Sequence, residues 1–189
     1  MESPPRHLAR IYPNIWAVNL AAIPLALLCA AGSLLLVLAL PHRHAISELS
    51  FLWFLPGIAV AFVLHELTHA WVAMWRAKLP WSAFKFGFNP KALVFYCHCR
   101  RPIDLRAYRA VCLAPLILLG PFSLLLVLIY PAAWLSLTAG VHLSGCIGDV
   151  WIFTLLRAYA SDVLVIDHPT EPGCDLYVRA TELKDAMQQ

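Results

Sequence analysis

The sequence predicts an α-helical membrane protein with about four transmembrane helices, a small cytoplasmic β-hairpin between the second and third, and a short polar C-terminal tail. Hydrophobic residues make up 61% of the 189 residues and charged residues only 13%, whereas a soluble domain carries about 25% charged residues. Long stretches without charge alternate with short polar stretches. We therefore expect a single integral membrane domain over residues 1–189.

The first two predicted spans flank a short loop. The first covers about 15–40, which is long enough to cross a bilayer with some tilt and too long for a signal peptide. The second covers about 51–75. The loop between them carries one arginine, Arg43.

The loop after the second span sets the predicted orientation. It carries eight basic residues and a single acid, Asp104. The eight are Arg76, Lys78, Lys85, Lys91, Arg100, Arg101, Arg106 and Arg109. Basic loops stay on the cytoplasmic side. We expect a multi-pass protein of the bacterial inner membrane with both termini in the cytoplasm and Arg43 outside.

The last two spans share a run that contains one charged residue, Asp149. Residues 110–156 are enough for two crossings, with a turn at 130–133. The third span is predicted at about 111–130, kinked by its prolines. The fourth is predicted at about 135–159.

The second span contains the candidate chemistry. Residues 65–69 read His-Glu-Leu-Thr-His. Histidines at i and i+4 lie on one helix face and can both reach a single zinc ion. Glu66 points to the side of that pair, where it can take a proton from a zinc-bound water without being a ligand. His65 and His69 are therefore predicted metal ligands and Glu66 the catalytic base.

A catalytic zinc keeps three protein ligands and one open position. At 1.5 Å per residue, His69 and His65 lie roughly 10 and 16 Å from the cytoplasmic end of their span, and Asp149 roughly 12 Å from the same end of its own. The shared depth makes Asp149 the predicted third ligand. His142 comes out roughly 22 Å deep. We expect it to be an outer or substrate-facing group, or equally a packed, hydrogen-bonded histidine.

Three other interpretations of these residues stay open. Ionisable residues within a membrane are costly and usually functional, but His65 and His69 could belong to a buried polar network without metal. Histidines on membrane helices can also be axial ligands of haem. The site could also bind zinc without turnover, as part of a regulatory partner protein, although a structural zinc needs no base such as Glu66.

The motif at 65–69, the basic loop, Ala114-Pro115 and Gly148-Asp149 resemble the small bacterial membrane zincin peptidases, a family described as a domain of unknown function. The site-2 protease type of intramembrane metalloprotease is a more distant similarity. Residues 142–149 read His-Leu-Ser-Gly-Cys-Ile-Gly-Asp, which departs from the Leu-Asp-Gly typical of that second type. The first resemblance implies a peptidase but no particular substrate.

The loop and the tail carry weaker patterns. Residues 83–88 alternate and 93–98 form a second extended run, which predicts a β-hairpin around a turn at 89–91. An edge of that hairpin could hold an extended substrate as an added strand. Cys97-His98-Cys99 is interpreted as packing rather than as a metal site. Asp167 and His168 are interpreted as turn residues, and Thr181 as the cap of a final helix.

Together these features predict a zinc-dependent membrane-embedded endopeptidase that hydrolyses peptide bonds of membrane or membrane-adjacent proteins. Its expected cofactor is a zinc ion held by His65, His69 and Asp149. Its expected partners are a peptide or membrane-protein substrate and membrane lipid, but no nucleic acid. The six cysteines show no disulfide framework. Four of them lie in or beside segments predicted on the cytoplasmic side and are expected to be reduced: Cys97, Cys99, Cys112 and Cys174.

Overall fold

The computed structural model describes residues 6–39, 52–89, 94–161, 163–168 and 173–178. The elements in chain order are β1 (Arg6–Ile11), α1 (Ile15–Ala39), α2 (Phe54–Ala77), β2 (Phe84–Asn89), β3 (Val94–Cys99), β4 (Ile103–Asp104), α3 (Leu105–Ala114), α4 (Gly120–Ile129), α5 (Ala133–Gly145), α6 (Ile147–Leu156), β5 (Leu164–Asp167) and β6 (Cys174–Val178). The predicted loop at 41–50, the hairpin turn after Asn89 and the final helix at Thr181 lie outside the described residues.

Four helical segments of the described chain are long and apolar enough to cross a membrane, as the sequence predicts. They are Ile15–Leu36, Phe54–Ala77, Leu105–Ile129 and Ala133–Leu156. The third joins α3 to α4 through a π-helical turn at Pro115–Leu119, which agrees with the irregularity expected of its prolines. The fourth joins α5 to α6 at Cys146.

The outer surfaces of these helices are apolar. Leu20 on α1 is 71% exposed, Leu55 on α2 is 73% exposed, and Ile117 in the π-helical turn is 60% exposed. Exposed aliphatic side chains on every span leave a surface that water does not favour. A lipid environment suits such a surface, because helices satisfy their own backbone hydrogen bonds.

The helices pack tightly where small residues allow it. A Cβ atom on Gly140 of α5 would lie 2.7 Å from the backbone of Ala30 on α1, so the two helices touch through their backbones there. A Cβ atom on Gly145 would lie 3.2 Å from Phe62 of α2. Small side chains permit this close approach, and the contact at Gly145 draws the fourth span towards the histidine-bearing helix.

The predicted hairpin is present. Strands β2 and β3 pair antiparallel, with Phe84 opposite Cys99 and Gly87 opposite Tyr96. The Tyr96 ring covers Gly87 so closely that a Cβ atom would collide with it. The hairpin packs against α2 and α3 in a core that includes Ala73, Phe84 and Val111.

A four-stranded antiparallel sheet replaces the short polar start and the polar tail that the sequence predicts. Its strand order is β1-β6-β5-β4, so β1 pairs with a strand more than 160 residues away in the chain. Leu176 and Cys174 of β6 are fully buried against α3 and α6. The alternation in these strands is short, and β1 pairs with β6 and β4 with β5 across long separations in the chain. The sheet is therefore evident only in the folded structure.

Candidate metal centre

The site lies in the half of α2 that leads to the hairpin. His65 is 6% exposed, and His69, one helical turn later, is partly buried. Both rings turn towards the third and fourth spans, because the opposite face of α2 carries exposed apolar residues such as Leu64 and Leu67. The same periodicity that makes α2 amphipathic therefore places both imidazoles on the inner face.

The structure brings together the three residues that the sequence predicts as ligands. The Nε2 atoms of His65 and His69 lie 3.2 Å apart. Asp149, in the first turn of α6, lies with Oδ2 3.0 Å from Nε2 of His65 and with Oδ1 3.4 Å from Nε2 of His69. Two imidazole nitrogens and the two oxygens of one carboxylate, from two spans, thus converge.

The donor atoms fit a tetrahedral zinc site. With a zinc–nitrogen distance of about 2.0–2.1 Å, neighbouring ligand atoms on a tetrahedron lie about 3.3 Å apart. The two Nε2 atoms, 3.2 Å apart, are close to that value. One oxygen of Asp149 lies 3.0 Å from His65 and the other lies 3.4 Å from His69, which are also close to it. Oδ2 of Asp149 is buried and makes no aligned hydrogen bond among the described residues, although Nε2 of His65 is within reach. A buried carboxylate oxygen in that state is suited to a cation.

A backbone carbonyl fixes the tautomer of His69. Nδ1 of His69 donates to the carbonyl of Val111 on α3 at 2.9 Å, which leaves the Nε2 lone pair facing His65 and Asp149. In a regular helix that carbonyl would accept from the N–H of residue 115. That residue is Pro115, which has no N–H. The carbonyl is therefore open to the imidazole, an arrangement that metal-ligating histidines commonly adopt.

Glu66 lies beside the donors rather than among them. It lines the same cavity as His65, His69 and Asp149, a space of about 810 Å³. Its carboxylate accepts a hydrogen bond from the backbone N–H of Cys97 on β3. A carboxylate that is held next to the metal ligands and open to the cavity has the position that a general base requires.

His142, which the sequence leaves as an outer or substrate-facing group or as a packed histidine, is buried against His65. Its ring centroid lies 5.5 Å from that of His65 at an interplanar angle of 75°. It is 3% exposed and is not among the cavity-lining residues. Neither ring nitrogen has a hydrogen-bond partner among the described residues. His142 therefore lies behind His65, away from the open side of the site.

Asp167 is a structural residue that the sequence pattern does not reveal. It ends β5 and accepts hydrogen bonds at 2.7 Å from the hydroxyl of Tyr108 and from the backbone N–H of Cys99. Burial raises the pKa of the Asp167 carboxyl, and the two hydrogen bonds oppose that rise. Asp167 joins the sheet, the hairpin and α3 at the cavity wall, so its interpretation as a turn residue misses its role.

The cysteines of the hairpin pack as the sequence predicts. Cys99 is 4% exposed, and its thiol donates to the carbonyl of Arg101 at 3.3 Å. Burial raises the pKa of both the Cys97 and the Cys99 thiols. Neither joins a group of three or more possible metal ligands in the described chain, and thiols in apolar surroundings stay protonated.

Comparison with known proteins identifies the family. The model of the family described as "Putative zincin peptidase" matches residues 58–164. The match covers more than half of the chain and includes both histidines, Glu66 and Asp149, so the chain belongs to this family. No curated protein and no solved structure matches the chain. The more distant similarity to site-2 proteases remains a prediction.

Proposed function

We propose that this protein is a zinc-dependent membrane-embedded endopeptidase that hydrolyses peptide bonds of membrane or membrane-adjacent proteins. The observation that carries the proposal is the convergence of His65, His69 and Asp149, whose donor atoms lie 3.0–3.4 Å apart beside a cavity that Glu66 also lines. The family description supports a peptidase of the zincin type. Haem is a poor fit, since two nitrogens 3.2 Å apart on one side leave no room for a macrocycle between them.

Each residue has a separate task in the proposed reaction. His65, His69 and Asp149 would hold zinc, which when bound supplies Lewis-acid polarisation of a carbonyl and a more acidic water. Glu66 takes the proton of the attacking water and passes it to the nitrogen of the leaving amine. The backbone N–H of Cys97 holds the Glu66 carboxylate at the cavity wall.

The hairpin edge nearest the site is suited to an extended substrate. Because the N–H of Arg100 donates to Ala83 on the β2 side, the alternate residues Phe95, Cys97 and Cys99 direct their N–H groups away from β2. The groups of Cys97 and Cys99 are already bound, to Glu66 and Asp167 respectively. Among the described residues of this edge, Phe95, which lines the cavity, is the remaining donor, and an added strand would begin there.

The proposed setting is a bilayer, with the hairpin and the four-stranded sheet on the cytoplasmic side. The first and the last described strands, β1 and β6, pair with each other. They belong to the same sheet as β4, which is part of the basic loop. An excess of Arg and Lys in that loop favours the cytoplasm. Cysteine labelling at position 43 and at position 100 from each side of the membrane tests this orientation.

The decisive experiment compares wild type with Glu66→Gln. Purified proteins are analysed for bound zinc, and the membranes of cells that produce each protein are searched for newly formed peptide ends. We expect equal zinc in both proteins, with cleavage products only in wild type. Asp104→Asn, which changes an exposed carboxylate that does not line the cavity, is the matched control and should cleave normally. Zinc without any Glu66-dependent product would favour a non-catalytic zinc-binding partner protein instead.

The route of substrate entry has its own test. Phe95→Pro removes the outward N–H, whereas Phe95→Ala keeps it and removes only the ring that stacks on Phe62 at 5.8 Å. Phe86→Pro removes an outward N–H from the opposite edge, because Phe86 pairs with Cys97. We expect loss of cleavage in Phe95→Pro alone, with zinc retained in all three. Equal activity in all three would place the substrate elsewhere.

A further inference from the structure

A second cluster of possible metal ligands lies on the far side of His65. His65, His142 and Cys146 each offer one ligand atom, and these atoms lie within 4.8 Å of one another. All three residues are buried. The Cys146 sulfur lies 4.0 Å from Nδ1 of His65, the nitrogen that faces away from Asp149. The cluster therefore uses the opposite edge of the same imidazole.

The polar groups of this cluster are poorly satisfied without a ligand. His142 is 3% exposed, and both of its ring nitrogens lack a hydrogen-bond partner among the described residues. A buried polar group without a partner is destabilising, because it has lost its hydrogen bonds to water. The Cys146 thiol donates to the carbonyl of His142 at 3.4 Å, which does not use either imidazole nitrogen. A histidine in this state needs a partner that the surrounding side chains do not supply.

We propose that His65, His142 and Cys146 form a second, inner metal site that takes a thiophilic transition-metal ion such as Zn²⁺ or Co²⁺. Two imidazole nitrogens and one sulfur are a donor set that suits these ions. Around zinc, a sulfur and a nitrogen ligand lie about 3.5 Å apart, given bond lengths of about 2.3 and 2.0 Å. The observed 4.0 Å between Cys146 and His65 is longer than that, so an ion would draw the two side chains together. Binding releases the thiol proton of Cys146 to water. When both sites are filled, the His65 ring also releases its N–H proton to water and bridges the two ions as an imidazolate.

The inner site and the candidate catalytic site of His65, His69 and Asp149 (the outer site) are coupled through His65. An ion at the Nε2 edge faces His69 and Asp149, and an ion at the Nδ1 edge faces Cys146. Two cations held on one imidazole repel each other. The buried Cys146 thiol must also lose its proton before its sulfur can bind the inner ion. The inner ion therefore binds more weakly than the outer one and fills second, unless the outer site is disabled.

Cobalt titration of the purified full-length protein tests the inner site without any measurement of activity. Cobalt bound to thiolate has an intense near-ultraviolet charge-transfer absorption, which nitrogen and oxygen ligands do not produce. In wild type we expect this band only after the first equivalent of Co²⁺. In Asp149→Ala, which weakens the outer site, we expect it from the first equivalent.

Two cysteine variants decide which sulfur is responsible. Cys146→Ser should abolish the band, whereas Cys112→Ser, which changes another thiol at the cavity wall, should keep it. No band in wild type or Asp149→Ala, or a band that survives Cys146→Ser, overturns the proposal. If Cys146→Ser does not fold, His142→Ala serves in its place. Its Co²⁺ affinity, measured from the intensity of the charge-transfer band, should be at least tenfold lower. These outcomes are independent of peptidase activity, so failure of the inner site leaves the proposed function intact.

Discussion

Two pairs of possible ligands in this protein have the same spacing and different surroundings. His65 and His69 lie one turn apart on α2, and His142 and Cys146 lie one turn apart at the end of α5. The first pair faces Asp149 and a cavity of about 810 Å³. The second pair faces the back of His65, and His142 does not line that cavity.

The comparison shows that helical spacing can bring two donors together but does not decide what they do. A hydrolytic site needs a nearby base and access for the substrate. Only the first pair has both, because Glu66 and the hairpin border the same cavity. The second pair has a thiol and a histidine whose ring nitrogens find no hydrogen-bond partner within the described part of the chain. It can hold an ion but offers no position for a peptide.

The largest expected effect comes from His65→Ala, since His65 belongs to both groups. The variant should lose zinc to background and lose all activity, because two remaining ligands do not make a stable site. His69→Ala should also lose zinc at the outer site but keep the inner group intact. Metal analysis after dialysis against a weak chelator measures the difference. Full zinc retention in His65→Ala would show that His65 is not a ligand of the bound zinc.

The next effect distinguishes Asp149 from His142. Loss of a residue that contacts a metal ligand, but not the metal, lowers metal affinity roughly 10–100-fold. Asp149→Ala removes a ligand itself, so it should lower zinc affinity at the outer site by more than that. His142→Ala should lower it by that factor or less. Competition with a chromophoric chelator measures both affinities. A greater loss of zinc affinity in His142→Ala would indicate that His142, rather than Asp149, is the ligand.

A smaller effect is expected at Pro115. Pro115→Ala supplies an N–H that competes with His69 for the carbonyl of Val111, so zinc affinity should fall by about tenfold, the lower end for outer partners. Pro121→Ala changes another proline of the same span and is the matched control. The same chelator competition applies. Equal affinities in the two variants would show that the Val111 contact does not hold His69 in place.

The smallest effect is expected at Tyr108. Tyr108→Phe removes the hydroxyl that donates to Asp167 and should lower the free energy of unfolding by about 1.5–3 kcal/mol, the usual contribution of a hydrogen bond to a charged group. Zinc content should not change, because the hydroxyl does not contact the ligands. Thermal unfolding in detergent gives the value, and Ile129→Leu, at a side chain that is 70% exposed, is the surface control. A loss of zinc would show that the sheet supports the site more directly.

The sequence predicts the parts of the fold and site that depend on local patterns. Four apolar runs predict four long helices, and the shared depth of His69 and Asp149 predicts that they meet, because helices have a constant rise. The alternation at 83–88 predicts the hairpin. Each of these inferences uses only the spacing of side chains along one element.

Other features depend on distant pairing or on backbone atoms, which no side-chain pattern encodes. The pairing of β1 with β6 joins segments from opposite parts of the sequence. The link from Asp167 to Tyr108 and Cys99 appears only when that sheet meets the hairpin. The contact of His69 with the Val111 carbonyl involves a backbone atom, so the identity of residue 111 does not predict it. Pro115 is the one available signal, since a proline four residues later leaves a carbonyl without its usual donor.

Pro115 also implies a trade-off between thermal stability and zinc binding. A proline inside a helix costs about 3 kcal/mol through its missing donor and its steric clash. An alanine there would restore regular helix bonding, so the metal-free protein should become more heat-resistant while it binds zinc less well. Stabilised variants of enzymes often lose function in this way. A selection of this protein for thermal tolerance alone would therefore favour replacement of Pro115 and would impair the metal centre that Pro115 supports.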